Sequence, residues 1–139
     1  MTTDEIKAEL KKRLKPQRYA HCLGVADTAK ELAKIYGADE DAAYLAGMLH
    51  DCAKNYTTDE LYQKADEYGI VLDEISKKSP PLLHAYVGAE EARRIYGVSD
   101  GEIYDAIYRH TTGGANMALL TKIIYLADGI EPSRSYGAV

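Results

Sequence analysis

AAYLAGMLHDCAK, residues 42–54, is the stretch on which the reading of the fold turns. At three- and four-residue spacing, Ala43, Ala46, Gly47 and His50 fall on one helical face, and the residues preceding His50 there are small enough for a second helix to approach closely. Asp39 stands where an N-terminal cap belongs, so a helix is predicted from there through Lys54. The apolar run ends on His50-Asp51, two polar groups placed where the pattern asks for core. A buried carboxylate needs a cation or strong donors. Lys54, one turn on, offers itself as the partner of Asp51.

Outward from this stretch the chain reads as one helix after another. Thr2 and Glu5 form a capping box for a first helix ending before Pro16. A second is predicted from about Gln17 to Tyr36, closed by Gly37 in a left-handed turn. Thr57 and Glu60 cap a fourth, closed by Gly69, and Ser79-Pro80-Pro81 opens a fifth that ends at Gly97. Ser99 with Glu102 caps a sixth running to about His110, and residues 111–115 form a loop. The last helix is expected from Asn116 to about Ile130, before Pro132. Tyr-Gly at 36–37, 68–69 and 96–97 marks three helix stops rather than a repeat. The fold class expected is all-α, one domain over residues 1–139, a bundle of about seven helices around a metal site.

Composition bounds the function. The net charge of −5 argues against a nucleic-acid backbone as partner but leaves room for a small anionic substrate beside a bound metal. No window approaches the roughly 18 apolar residues of a membrane span, and the charged first 14 residues lack a signal-peptide core. A cytoplasmic location is expected. Cys22 and Cys52 form no Cys-x-x-Cys pair and read as small core residues. With twelve tyrosines and no Phe or Trp, several tyrosines should lie at the core margin, their hydroxyls seeking partners.

The four histidines, His21, His50, His84 and His110, each fall in a predicted helix on or beside its apolar stripe. His21 shares a face with Val25, Ala29 and Leu32, and His110 one with Ile103 and Ile107. Asp128 follows the apolar LLTKIIYLA with no cationic residue at i±3 or i±4. One histidine on an apolar stripe is usually a hydrogen-bonded core residue; four, with two interior-facing aspartates, outweigh that explanation. Imidazole and carboxylate together suit Fe, Mn, Co, Zn or Ni. Arg18 reads as a surface charge; Lys122, Glu90 and Glu91 read as solvated helix faces. Glu131 stands where it could cap or position the loop of Arg134, and Gly47 and Gly88 imply close helix packing.

The order His21, His50-Asp51, Asp128 resembles the HD superfamily of metal-dependent phosphohydrolases. The likeness tightens over LAGMLHDCAK, SPPLLHAYVGAEEARRIYG and YRHTTGGANMALLTKIIYLADGIEPSR, which look like the bacterial YqeK-type HD proteins, symmetrical bis(nucleosyl)-tetraphosphatases. It implies iron (Fe2+ or Fe3+) on His21, His50, Asp51 and Asp128, and a catalytic group of Asp51, His84, His110 and Lys54. Lys54 would neutralise a phosphate. His84 and His110 would serve as hydrogen-bond donors, a proton source for the leaving group, or ligands of a second metal. It also implies a nucleotide contact surface of Asp51, Cys52, Ala53, Lys54, His84, His110, Thr111, Asp128 and Arg134. The implied substrate is diadenosine tetraphosphate, cleaved to two ADP, with a homodimer among the assemblies left open. Gly114 stands where such proteins often carry a basic residue, and they usually continue into further helices beyond SYGAV. Two alternatives compete: an HD-type nucleotidase or alarmone hydrolase acting on another nucleotide, and a nucleotide-binding sensor without turnover.

Overall fold

The computed structural model describes residues 1–111 and 117–131. Seven α-helices occur among them: α1 (Thr3–Arg13), α2 (Pro16–Tyr36), α3 (Glu40–Leu49), α4 (Thr58–Glu67), α5 (Pro80–Arg94), α6 (Gly101–Arg109) and α7 (Leu119–Ile130). A single 3-10 turn, Ser76–Lys78, lies between α4 and α5. The described residues contain no strand.

Local chemistry accounts for most boundaries. Both capping boxes form: Thr2 with Glu5 at α1, and Thr57 with Glu60 at α4. Asp39 accepts from the Ala42 amide at the start of α3. Gly37, Gly69 and Gly97 all adopt positive φ, at 77°, 67° and 75°, where side-chain-bearing residues are strained. Several boundaries differ from expectation, among them the end of α5, at Arg94 rather than Gly97. α3 stops at Leu49, so Cys52 to Lys54 lie in turns rather than helix. The cap of α6 is Asp100, not Ser99: its carboxylate accepts from the Glu102 amide. α7 begins at Leu119, and Asn116, its expected start, lies outside the described residues, as does most of the 111–115 loop.

The main apolar core is built by α1, α2, α3, α5, α6 and α7, with Leu10, Val25, Met48, Leu49, Ile107, Ile123 and Ile124 buried in it. α3 is central, packed on α2, α6 and α7. A smaller cluster of Ala53, Leu61, Ala65, Leu83 and Val87 joins α4 to α5. The close approach of α2 and α3 depends on Gly47: a Cβ there would lie 2.9 Å from the Ala26 Cα and 3.0 Å from the Val25 carbonyl oxygen. Gly88 is different. A Cβ on it would meet Cys52 Sγ at 3.5 Å, an ordinary contact, so close packing does not require this glycine.

The tyrosines and acids explain one another. Glu91, expected in solvent, is 1% exposed and accepts from Tyr56 and Tyr68 hydroxyls, each at 2.7 Å. Glu90 is also buried, accepting from Tyr104 and from Arg93 and Arg94. Tyr hydroxyls from α6 and the α4 region thus carry α5 carboxylates into the interior, a role Phe could not fill. Both cysteines are free and buried, and burial pushes their thiols up.

Candidate metal centre

Two helix ends deliver histidines by the same device. The last carbonyls of a helix lack intrahelical partners. His50 follows α3, and its Nδ1 lies 2.6 Å from the Gly47 carbonyl oxygen; His110 follows α6, with Nδ1 2.6 Å from that of Ile107. Because a carbonyl only accepts, Nδ1 carries the proton in each ring. With Nδ1 committed to the helix end, Nε2 is the ring atom turned away from it, and its lone pair is what a metal ion would take. Both histidines thus sit in turns just past the helices expected to contain them.

Those Nε2 atoms converge on Asp51. His50 Nε2 lies 3.3 Å from Asp51 Oδ2 and 3.3 Å from Asp128 Oδ1, and has no hydrogen-bond partner. His110 Nε2 lies 3.5 Å from Asp51 Oδ1, and His84 Nδ1, buried and without a partner, 3.8 Å from that oxygen. From α2, His21 directs Nε2 to Asp128 Oδ1 at 2.9 Å and lies 3.7 Å from Asp51 Oδ2. The rings form a continuous edge-to-face series, His21 to His50 at 5.3 Å, His50 to His110 at 5.1 Å and His110 to His84 at 5.3 Å.

Asp51 divides this assembly. Ligand-type atoms of His21, His50, Asp51 and Asp128 lie within 4.8 Å of one another, and so do those of Asp51, His84 and His110. Lone pairs and carboxylates at such range repel unless a cation lies among them. The residues therefore fit a metal ion, and the unpaired buried nitrogens of His50 and His84 are the observation that says so.

Protons show the same demand. Burial opposes a charge on His50, yet Asp51 and Asp128 lift its pKa to about 10. Asp51 is held well below the usual carboxylate range, chiefly by His50 and His110 against its own burial. Asp128, likewise against burial, is lowered by His21 and His50. His84 goes the other way: burial, then Lys54 and the neighbouring histidines, bring it down to about 3 against the pull of Asp51. A stability maximum follows for the metal-free protein. Between about 6.5 and 3 the unfolded chain binds the proton His84 refuses, so stability falls as pH drops. The stabilisation from His50 is complete below about 6.5 and is lost as pH rises toward 10. Urea midpoints in excess chelator should therefore peak near pH 6.5; a profile rising or falling monotonically from pH 4 to 10 would contradict these assignments.

The expected residues fall into place unevenly. His21, His50, Asp51, Asp128, His84 and His110 come together. Asp128 sits at the rim, its side chain 24% exposed, rather than deep in the interior. The ion partner of Asp51 is not Lys54 but Arg18, whose guanidinium donates to Oδ2 at 2.9 Å. Lys54 is exposed and, with Lys15, Arg18 and Tyr56, lines an adjoining hollow of about 360 Å3. Cys52 and Ala53 have buried side chains engaged in packing, Cys52 Sγ donating to the Gly88 carbonyl, so only their backbone could meet a ligand. Thr111 follows His110 directly, with its hydroxyl buried and unpartnered. Arg134 and Gly114 lie outside the described residues. Sequence reasoning missed two groups. Arg18 is one, separated from Asp51 by 33 positions. The other is Glu131, whose carboxylate accepts from His21 Nδ1 at 2.7 Å.

Comparison with known proteins gives the same class. The HD domain model matches residues 18–133. Over 130 residues the chain is 43% identical to the symmetrical bis(5'-nucleosyl)-tetraphosphatase of Halalkalibacterium halodurans, covering 94% of this chain and 69% of that protein. The Bacillus subtilis protein of the same name is 42% identical over 142 residues, covering all of this chain and 74% of its own. Among solved structures, a Clostridium acetobutylicum protein described as a "predicted HD superfamily hydrolase involved in NAD metabolism" superposes with a TM-score of 0.94 at 40% identity. That match covers 98% of this chain and 72% of the other. The chain belongs to the HD-domain family of metal-dependent phosphohydrolases. Within it, the Halalkalibacterium halodurans and Bacillus subtilis relatives are symmetrical tetraphosphatases. None of the described helices is long and apolar enough to cross a membrane.

Proposed function

We propose that this protein hydrolyses diadenosine tetraphosphate symmetrically, water adding across the central phosphoanhydride to give two ADP. The observation that carries the reading is the division of Asp51, one oxygen toward His21 and His50 and the other toward His84 and His110. A polyphosphate needs charge neutralised at neighbouring phosphates and a water held in line, and this arrangement offers both within one cluster. The Halalkalibacterium halodurans and Bacillus subtilis relatives, which carry the name of that reaction, are matched over more than two-thirds of their length.

His21, His50, Asp51 and Asp128 would hold one metal ion, and Asp51, His84 and His110 a second. Such an ion would acidify water and draw off phosphate charge. Iron is our preferred ion on the strength of the family resemblance; mixed imidazole and carboxylate donors are compatible with it, as they are with Mn, Co, Zn and Ni. The rest of the work falls to side chains. Arg18 fixes the outer face of Asp51 Oδ2, so the carboxylate cannot rotate away. His84, held neutral by its surroundings, serves as a lone-pair donor rather than as the acid for the leaving group. Lys54 stands exposed at the lip with its ammonium free to meet an incoming phosphate. Thr111 and Arg134 would hold the nucleotide, and the protein would work in the cytoplasm.

The test is product analysis after anaerobic purification with Fe, Mn, Co or Ni. ADP as the sole nucleotide product is expected. AMP with ATP would keep the hydrolase and refute the symmetrical cut. Binding without turnover under all four metals would overturn the enzyme in favour of a sensor, and preference for a deoxynucleoside monophosphate would reassign the substrate.

A further inference from the structure

His21 is gripped at both ring nitrogens by the end of one helix. Asp128, in the last turn of α7, faces Nε2 at 2.9 Å. Glu131, the residue that closes α7, faces Nδ1 at 2.7 Å. The Glu131 backbone amide continues the helix by donating to the Ala127 carbonyl, which holds the residue in place, and the residue is only 1% exposed. A carboxylate buried against an imidazole is costly to place unless the hydrogen bond has a use. His50 and His110 have their Nδ1 protons fixed by backbone carbonyls of their own helices. Of these three rings, only His21, in the middle of α2, gets this service from a side chain 110 positions away.

We propose that Glu131 is the positioning residue of the metal centre: by accepting the Nδ1 proton of His21 it sets the ring's tautomer and rotation, so that the Nε2 lone pair faces the ion. This rests on the metal reading given above. Carboxylates that orient a ligating histidine commonly matter 10–100-fold in metal affinity. The consequence for this chain is that α7 contributes a ligand, through Asp128, and the part that orients a second ligand, through Glu131.

The test uses Co(II) alone as the probe, titrated into the full chain, with the visible spectrum and the dissociation constant as readouts. Glu131→Ala should weaken binding about 10–100-fold and change the ligand-field bands. Glu131→Gln, whose amide oxygen can accept the same proton, should stay near the parent in both. Melting temperatures of the metal-free variants separate the effect from a loss of fold. Parental Co(II) affinity in Glu131→Ala overturns the proposal while His21→Ala loses the metal; so does a Gln variant as weak as Ala. If His21→Ala also binds as the parent does, the metal reading itself is overturned.

Discussion

Asp51→Asn should lower the turnover of diadenosine tetraphosphate by on the order of a thousandfold, while the far-ultraviolet spectrum stays helical. The substitution keeps the shape of the side chain and removes its charge. Five groups meet the carboxylate: Arg18, His21 and His50 at Oδ2, His84 and His110 at Oδ1. An amide can offer an oxygen to one side only and turns an NH2 to the other. One of the two groups of prospective ligands therefore loses its shared member whichever way the amide is oriented. Bound metal measured alongside the rate should drop as well. A variant keeping both its metal and a rate within tenfold of the parent would remove Asp51 from the centre of the mechanism.

The second large effect is structural. Gly47→Ala places a Cβ 2.9 Å from the Ala26 Cα, 3.0 Å from its nitrogen and 3.0 Å from the Val25 carbonyl oxygen. All three obstacles are backbone, so no rotamer change relieves them and α2 must move off α3. Overpacking of this kind costs about 3 kcal/mol at the upper end of its usual range, against about 1 kcal/mol regained from alanine's helix propensity. A net loss of about 2 kcal/mol corresponds to a melting temperature lower by roughly 8 °C. Gly88→Ala is the matched control, since its nearest neighbour is the Cys52 sulfur at 3.5 Å, and it should melt at or above the parent temperature. Equal melting temperatures for the two variants would contradict the close approach of α2 and α3.

What could be read from the chain alone follows the range of the interactions. Capping boxes spanning four residues and glycine stops are local, and they lie where the sequence places them. The end of α3 was hidden because HDCAK is acceptable helix; what ends the helix is the His50 side chain taking the Gly47 carbonyl. The burial of Glu90 and Glu91 was also hidden, since acids beside arginines at i+3 and i+4 look like any solvated face. Their tyrosine partners come from other elements. The metal-type residues were legible through their chemistry: six groups that do not belong in an apolar stripe had to find one another. Their supports were not. Arg18 and Glu131 reach Asp51 and His21 across 33 and 110 positions, and nothing in the spacing of a charged residue announces such a contact.

The two histidines that end α3 and α6 have a consequence for how this site can change. Each imidazole is a rivet with two heads, one set in its own helix terminus and the other in the reactive cluster. An asparagine can imitate the first head, offering its amide hydrogen to the orphan carbonyl, but brings no lone pair to where Nε2 stood. A glutamate can reach the cluster yet has no hydrogen for the carbonyl behind it. Imidazole alone among the side chains presents a donor and an acceptor at opposite corners of one rigid ring. Drift at either position thus loosens the scaffold and the chemistry in the same step, because one ring serves both.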